Sequence, residues 1–155
     1  MVSLCAPAGR AIPRAVVGWT MEEIETSQSG DLAVLDRLLD PAFEIEGCFL
    51  LTNEEACARL GIERPGYETA RNGTGPLAWN HHWLLIPMRG ADGSLTGVIW
   101  ADEPEDRLLP TRESLQALRL FANQASTAVA SAAALVEMRF LADHDPLTRL
   151  GNRRA

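Results

Sequence analysis

The chain has 155 residues, 46% of them hydrophobic, and a formal net charge of −7. That length suits one compact domain with an appendage, and the hydrophobic content is ordinary for a globular core. The acidic balance argues against a surface built for nucleic acid or anionic lipid, and three cysteines without CxxC or Cys/His spacing argue against a disulfide framework or a zinc site. Val2 to Cys5 reads as a short strand, Pro7 to Gly9 as a turn, and Arg14 to Trp19 as the returning strand of a hairpin. Apolar residues at Leu32, Leu35, Leu38 and Leu39 follow helical spacing, with Asp31 as N-cap and Pro41 as the stop. Gly47 to Leu51 reads as a buried strand. Asn53 to Gly61 reads as a short helix, capped by Asn at one end and Gly at the other. Residues 62–79, rich in Gly, Pro, Asn and Thr, form a long loop of the kind that often carries function.

The clearest strand signal follows. The runs 82–88 and 95–101 flank an Asp92-Gly93 turn and predict a β-hairpin. Pro87 cannot donate a ladder hydrogen bond, which places it at an edge, a bulge or a strand end. Pro110-Thr111 then opens a long helix that no Gly or Pro interrupts before Pro146. Leu115, Leu118, Ala122, Ala125, Val129, Ala132 and Val136 follow a 3-4 spacing over about three heptads, the pattern of a coiled-coil seam. The spacing predicts that these seven residues face a second copy of the chain, with the sheet on the far side of the helix from Val129. No apolar run approaches the ~20 residues that a membrane helix needs, and residues 1–6 lack the basic start of a signal peptide. The expected location is cytoplasmic. Together the elements predict an α/β (α+β) chain: an antiparallel sheet flanked by helices, with a long C-terminal helix.

Two stretches carry a family resemblance. At the C-terminal end, Asp145, Leu147, Thr148, Leu150, Asn152, Arg153 and Arg154 fill every fixed position of the pattern D-x-L-T-x-L-x-N-R-R, with which GGDEF (diguanylate cyclase) domains open. Upstream, the strand ending in Ile86-Pro87-Met88-Arg89, the Asp92-Gly93 turn, Gly97-Val98-Ile99, and a helix carrying Phe121-Ala122 and Gln124-Ala125 resemble a GAF domain. The resemblance implies a GAF-like sensory domain over 1–130, lacking the family's usual first helix. It implies a signalling helix over 111–142 and the truncated start of a cyclase domain over 143–155. The departure at the N-terminal side and the stop after Ala155 suggest a fragment at both ends. The implied function is control of cyclic di-GMP synthesis from GTP, with GTP and Mg²⁺ as needs of the full-length parent and no cofactor for this chain. By the same resemblance Asn152 would meet the guanine base, while the metal ligands and the GGDEF turn would lie beyond Ala155. The implied partners are a second copy of the chain and an unidentified small molecule. A ligand-free structural dimerisation module is the alternative.

Several side chains invite sharper readings. Trp19, Phe49, Tyr67, Trp83 and Trp100 are candidates to line a sensory pocket, with Trp79 a further tryptophan in that set; core packing is the competing role. His81 and His82 beside Trp83 suggest a metal or haem ligand, but neighbours on a strand point to opposite faces and would not share one metal. Cys57 lacks the following histidine typical of bilin attachment, and Cys48 lies in an apolar strand; both read as structural thiols. His144 has no ligand partner at helical spacing. Arg71 to Gly75 resembles a phosphate cradle without the Lys-Ser/Thr of a P-loop. Asp102, Glu103, Glu105 and Asp106 read as a solvated turn. No metal site and no catalytic constellation is expected.

Overall fold

The computed structural model describes residues 2–6, 10–15, 32–63 and 70–143. Six strands form one antiparallel sheet: β1 (Val2–Ala6), β2 (Arg10–Ala15), β3 (Glu44–Ile45), β4 (Cys48–Leu51), β5 (Trp83–Arg89) and β6 (Leu95–Ala101), in the order β2-β1-β6-β5-β4-β3. Among the described residues three α-helices accompany it: α1 (Leu32–Leu38), α2 (Asn53–Leu60) and α3 (Arg112–Asp143). The class is α+β, with a long C-terminal helix as the sequence predicts.

The predicted hairpin forms around Asp92-Gly93. Ile86 pairs with Ile99 and Met88 with Gly97, and a bulge falls between Met88 and Arg89. Gly93 supplies φ 83°, and the Asp92 carboxylate accepts from both the amide and the hydroxyl of Ser94. Pro87 lies inside β5, opposite Val98 and close to the bulge. The ladder between β4 and β5 runs only from Leu51↔Trp83 to Phe49↔Leu85, so Pro87 lies past the end of its neighbour on that side. A missing donor there breaks no rung with β4, which is the local edge that proline requires. The first hairpin also forms, but β2 begins at Arg10, four residues before the predicted start, because Ala6 pairs with Arg10 directly across the turn. Pro13 is tolerated since β2 is the outermost strand.

Alternation along the strands buries both faces. Phe49, Leu51, Leu85 and Val98 pack with Leu35, Leu38 and Ala56 from α1 and α2, and Trp83 and Trp100 close this layer. Cys48, Leu84, Ile86, Met88 and Ile99 point the other way, onto Leu115 and Ala122 of α3 and onto Trp79. The result is a helix–sheet–helix sandwich, and it explains why these central strands read as near-continuous apolar runs.

Capping differs from the sequence reading by one residue. Thr52, not Asn53, is the N-cap of α2: its hydroxyl accepts from the Glu55 amide while Glu55 returns to the Thr52 amide, a reciprocal capping box. Asn53 is thereby released for another role. Gly61 ends the helix in the left-handed conformation, as expected.

α3 opens at Thr111, whose hydroxyl accepts from the Ser114 amide, and runs 32 residues. At 1.5 Å per residue it extends about 48 Å. Its first half is bound to the sheet by polar contacts as well as apolar ones. Arg112 and Gln116 both donate to Glu46, and Arg119 donates to the Gly47 carbonyl, so the β3–β4 turn grips one side of the helix. Gly47 suits that turn because its φ is +76°, a left-handed conformation that glycine adopts without strain. Buried Ser126 donates to the Arg89 carbonyl at the bulge, at 2.7 Å.

The seven-residue seam does not behave as one surface. Leu115 and Ala122 are buried against the chain's own sheet, and Leu118, Ala125 and Val129 are half-buried on the same side. Only Ala132 and Val136 stand clear. The expectation that the sheet lies on the far side from Val129 is therefore corrected: the stripe that looked like a dimer seam is, up to Val129, the stripe that meets the sheet. A 3-4 spacing describes an apolar helix face without saying what covers it.

Candidate functional site

The sandwich places three of the five pocket candidates in one layer. Phe49, Trp83 and Trp100 lie on the sheet face covered by α1 and α2. The Trp83 and Trp100 rings meet edge to face with centroids 6.0 Å apart, a favourable aromatic geometry. Trp19 and Tyr67 lie outside the described residues, as do His144 and Asn152. Trp79 belongs to the opposite layer: it is fully buried under α3, and its indole N–H donates to the Asp102 carboxylate at 3.0 Å.

Asn53 links this aromatic layer to the surface. Its Oδ1 accepts from the Trp83 indole N–H at 3.0 Å and from the Cys57 thiol at 3.9 Å. Beside it opens a groove of about 670 Å³, lined among others by Asn53, Glu54, Cys57, Ile62, His81 and His82. The volume is in the range of small-molecule sites, although this groove is wide open to solvent.

Both histidines face this groove, contrary to the alternation expected of a strand. His81 precedes β5 and adopts φ 50°, which breaks the two-residue period. Asn72 holds it there: its Oδ1 accepts from the His81 amide at 3.0 Å, and its Nδ2 donates to His81 Nε2 at 2.9 Å. His82 Nδ1 accepts from the Asn80 amide at 3.0 Å, so its neutral form carries the proton on Nε2. Its ring lies 5.5 Å from that of Trp79. Burial lowers the His82 pKa from 6.5, helped by His81 and opposed by Glu55. Among the described residues no group of three or more His, Cys, Asp or Glu is placed to hold a metal ion.

A pH dependence follows. A histidine whose folded pKa is depressed binds fewer protons in the folded state than in the unfolded one. Stability is therefore full above the ordinary value of 6.5 and falls as pH drops from there toward the lower folded pKa. The expected result is a urea midpoint that declines between pH 7.5 and 5.5 in the wild-type chain and declines less in His82→Gln. Parallel curves for the two proteins would remove His82 as the cause.

The segment 70–80 is a strap rather than a cradle. The Gly73 amide donates to the Trp79 carbonyl, the Trp79 amide to Arg107, and the Leu109 amide to Leu77. A Cβ at Gly73 would collide with the Arg107 carbonyl oxygen. With its amide spent and its open side against backbone, Gly73 offers nothing to a phosphate. The acidic cluster divides similarly. Asp102 accepts from Trp79 and from the Glu103 amide, Glu103 accepts from the Ala70 amide, and Asp106 accepts from the Leu108 amide. Asp102 and Glu103 thus tie the strap to the end of β6, a structural task that the solvated-turn reading missed. Cys48 donates to the Leu115 carbonyl at 3.5 Å, and burial raises its pKa, as suits an inert core thiol.

Sequence reasoning missed Asn53 and Asn72. The first was hidden by its apparent capping role, and the second by a loop whose partner nine residues on is not periodic. The absence of a long apolar run also needs correction, since α3 is long and apolar enough by length and composition to cross a membrane. Nine of its 32 residues are alanines, small side chains that raise mean hydropathy without forming a run of large apolar residues. No family model, curated protein or solved structure matches this chain.

Proposed function

We propose that the chain is a GAF-type sensory module whose C-terminal helix controls a diguanylate cyclase domain beginning at Asp145. The observation that carries this reading is positional. α3 leaves the sheet and ends at Asp143, and the motif Asp145-x-Leu147-Thr148-x-Leu150-x-Asn152-Arg153-Arg154 starts two residues later. A helix clamped to a sheet at one end and joined to an output domain at the other is a mechanical link. The groove beside Asn53, with the Asn53–Trp83–Trp100 contacts behind it, is the proposed sensing site for a small molecule in the cytoplasm. A ligand that pulls Asn53 off Trp83 in one state only would shift the population of helix arrangements, which is the condition for coupling.

A second reading has its own support. Trp83 and Trp100 are packed into the core layer, so a structural dimerisation module without a ligand fits that layer equally well. On either reading this chain has no catalytic centre of its own, and GTP with Mg²⁺ belongs to the longer parent. Incubated with GTP and Mg²⁺, the 155-residue chain is expected to return only GTP on anion-exchange chromatography. A chain continued through a complete cyclase domain is expected to yield cyclic di-GMP. Product from the short chain, or none from the long one, would overturn the proposal.

A further inference from the structure

We infer that the groove beside Asn53 takes a small zwitterionic α-amino acid with an apolar side chain. Its carboxylate meets Asn53, His81 and His82, and its ammonium meets Glu54 and Glu63. This names the ligand class of the sensing site proposed above and rests on that reading for its role, though not for its chemistry.

Hydrogen-bond accounting fixes what the groove offers. Asn53 Oδ1 is taken by the Trp83 indole and the Cys57 thiol, which orients the amide and leaves Nδ2 over. Asn72 Oδ1 accepts from the His81 amide, so its Nδ2 is the group that donates to His81 Nε2. The neutral His81 ring therefore carries its proton on Nδ1. The Asn80 amide can only donate, so His82 Nδ1 accepts and the neutral His82 ring carries its proton on Nε2. Three N–H groups remain: Asn53 Nδ2, His81 Nδ1 and His82 Nε2. None of them meets an acceptor among the described residues, and none is buried. All three residues line the groove. Donors held in place by a second bond on the same side chain are preorganised for one acceptor-rich group. A carboxylate is such a group, with about four lone-pair sites on its oxygens.

The remaining lining residues select the rest of the ligand. Glu54 and Glu63 line the same groove, are exposed, and have no ion-pair partner among the described residues. The neighbouring Glu55 carboxylate is spent on the Thr52 amide and hydroxyl. Among the described residues no lysine or arginine lines the groove. Arg59 and Arg71, which border its segments in sequence, pair with Asp40 and Glu103. A purely anionic ligand such as a phosphate would approach these carboxylates with no cation to hold it. A neutral polyol would use the donors and leave both glutamates unmatched. An α-amino acid places a cation beside its anion and satisfies both sets with no net charge. Ala58 and Ile62 form the apolar part of the lining, and Ile62 is 40% exposed, free to cover an aliphatic side chain.

The test is isothermal titration calorimetry of the 155-residue chain at neutral pH. The groove is open and its donors are hydrated, so L-leucine is expected to bind with a Kd of about 1 mM or somewhat below. N-acetyl-L-leucine lacks the ammonium and L-leucinamide lacks the carboxylate; each should bind at least about tenfold more weakly. Asn53→Asp keeps an acceptor for the Trp83 indole, suits the first turn of α2, and replaces the donor with a carboxylate oxygen. It should weaken L-leucine at least about tenfold and leave the unfolding midpoint within a few degrees of wild type. The exposed pair Glu54→Gln and Glu63→Gln, made together, should bring L-leucine level with N-acetyl-L-leucine without affecting the fold. No heat from L-leucine up to about 20 mM, equal affinity for the three compounds, full affinity in Asn53→Asp, or tighter binding of inorganic phosphate would overturn the assignment. The site is read by heat on the short chain and the sensory role by cyclic di-GMP output of the longer one, so failure of either is told from failure of the other.

Discussion

Trp79→Ala is expected to destabilise the chain by about 3–5 kcal/mol, the range for removing a large aromatic from a packed core. Trp79 is 1% exposed and lies under α3 with Ile86, Met88 and Leu115. Its loss opens a cavity and also removes the indole donor from the Asp102 carboxylate. The strap 70–80 and the helix would loosen together, because Trp79 joins them: its backbone pairs with Arg107 while its ring supports α3. Urea titration followed by tryptophan fluorescence and circular dichroism measures the change. Trp79→Phe, which keeps most of the ring, should recover more than half of it. A loss below about 1 kcal/mol for Trp79→Ala would mean that the ring does not fill the core as described.

Leu115→Asp is expected to be more severe, with the helix released from the sheet at neutral pH. Leu115 is 1% exposed at the centre of the α3 contact, and its carbonyl accepts from the Cys48 thiol. An unpaired carboxylate there costs several kcal/mol, comparable with the whole stability of an ordinary domain. Val136→Asp puts the same charge on the same stripe three heptads, about six helical turns, later, where the side chain is 67% exposed, and should leave the unfolding midpoint within a few degrees of wild type. The contrast locates the point at which α3 parts from its own domain. Equal destabilisation by the two variants would show that the helix is supported along its whole length.

How much of this was legible in the sequence depends on whether the signal was local. The hairpin around Asp92-Gly93 was readable because the turn chemistry and the two flanking apolar runs all lie within twenty residues. α1, α2 and the start of α3 were readable from periodicity and end signals, apart from the shift of the α2 cap from Asn53 to Thr52. The start of β2 was missed because its limits are set by pairing with β1, and Arg10 is not a β-former that announces itself. Pro87 was legible as an edge or bulge residue, but what makes its place an edge is where β4 stops, a fact about a different strand. The α3 seam was the most instructive case. Leu115, Ala122 and Val129 have the spacing of a coiled coil, and only the register of β5 and β6 beneath them shows that the sheet takes that face. The groove was not legible: Phe49, Trp83 and Trp100 share a core layer but are not among the residues that line it, and Asn53, Asn72 and the left-handed His81 depend on contacts across the loop 70–82.

The central claim is that α3 passes orientation from the sheet to an output domain after Asp143. Insertions between Ala130 and Ser131 test it most directly, in a chain continued through a complete cyclase domain. Two inserted alanines rotate everything beyond them by about 200° on the helix, while seven come within about 20° of restoring the original face. The rate of cyclic di-GMP formation is expected to stay within a few fold of wild type for the seven-residue insertion and to fall at least tenfold for the two-residue one. Equal rates for both insertions would contradict transmission through a rigid helix.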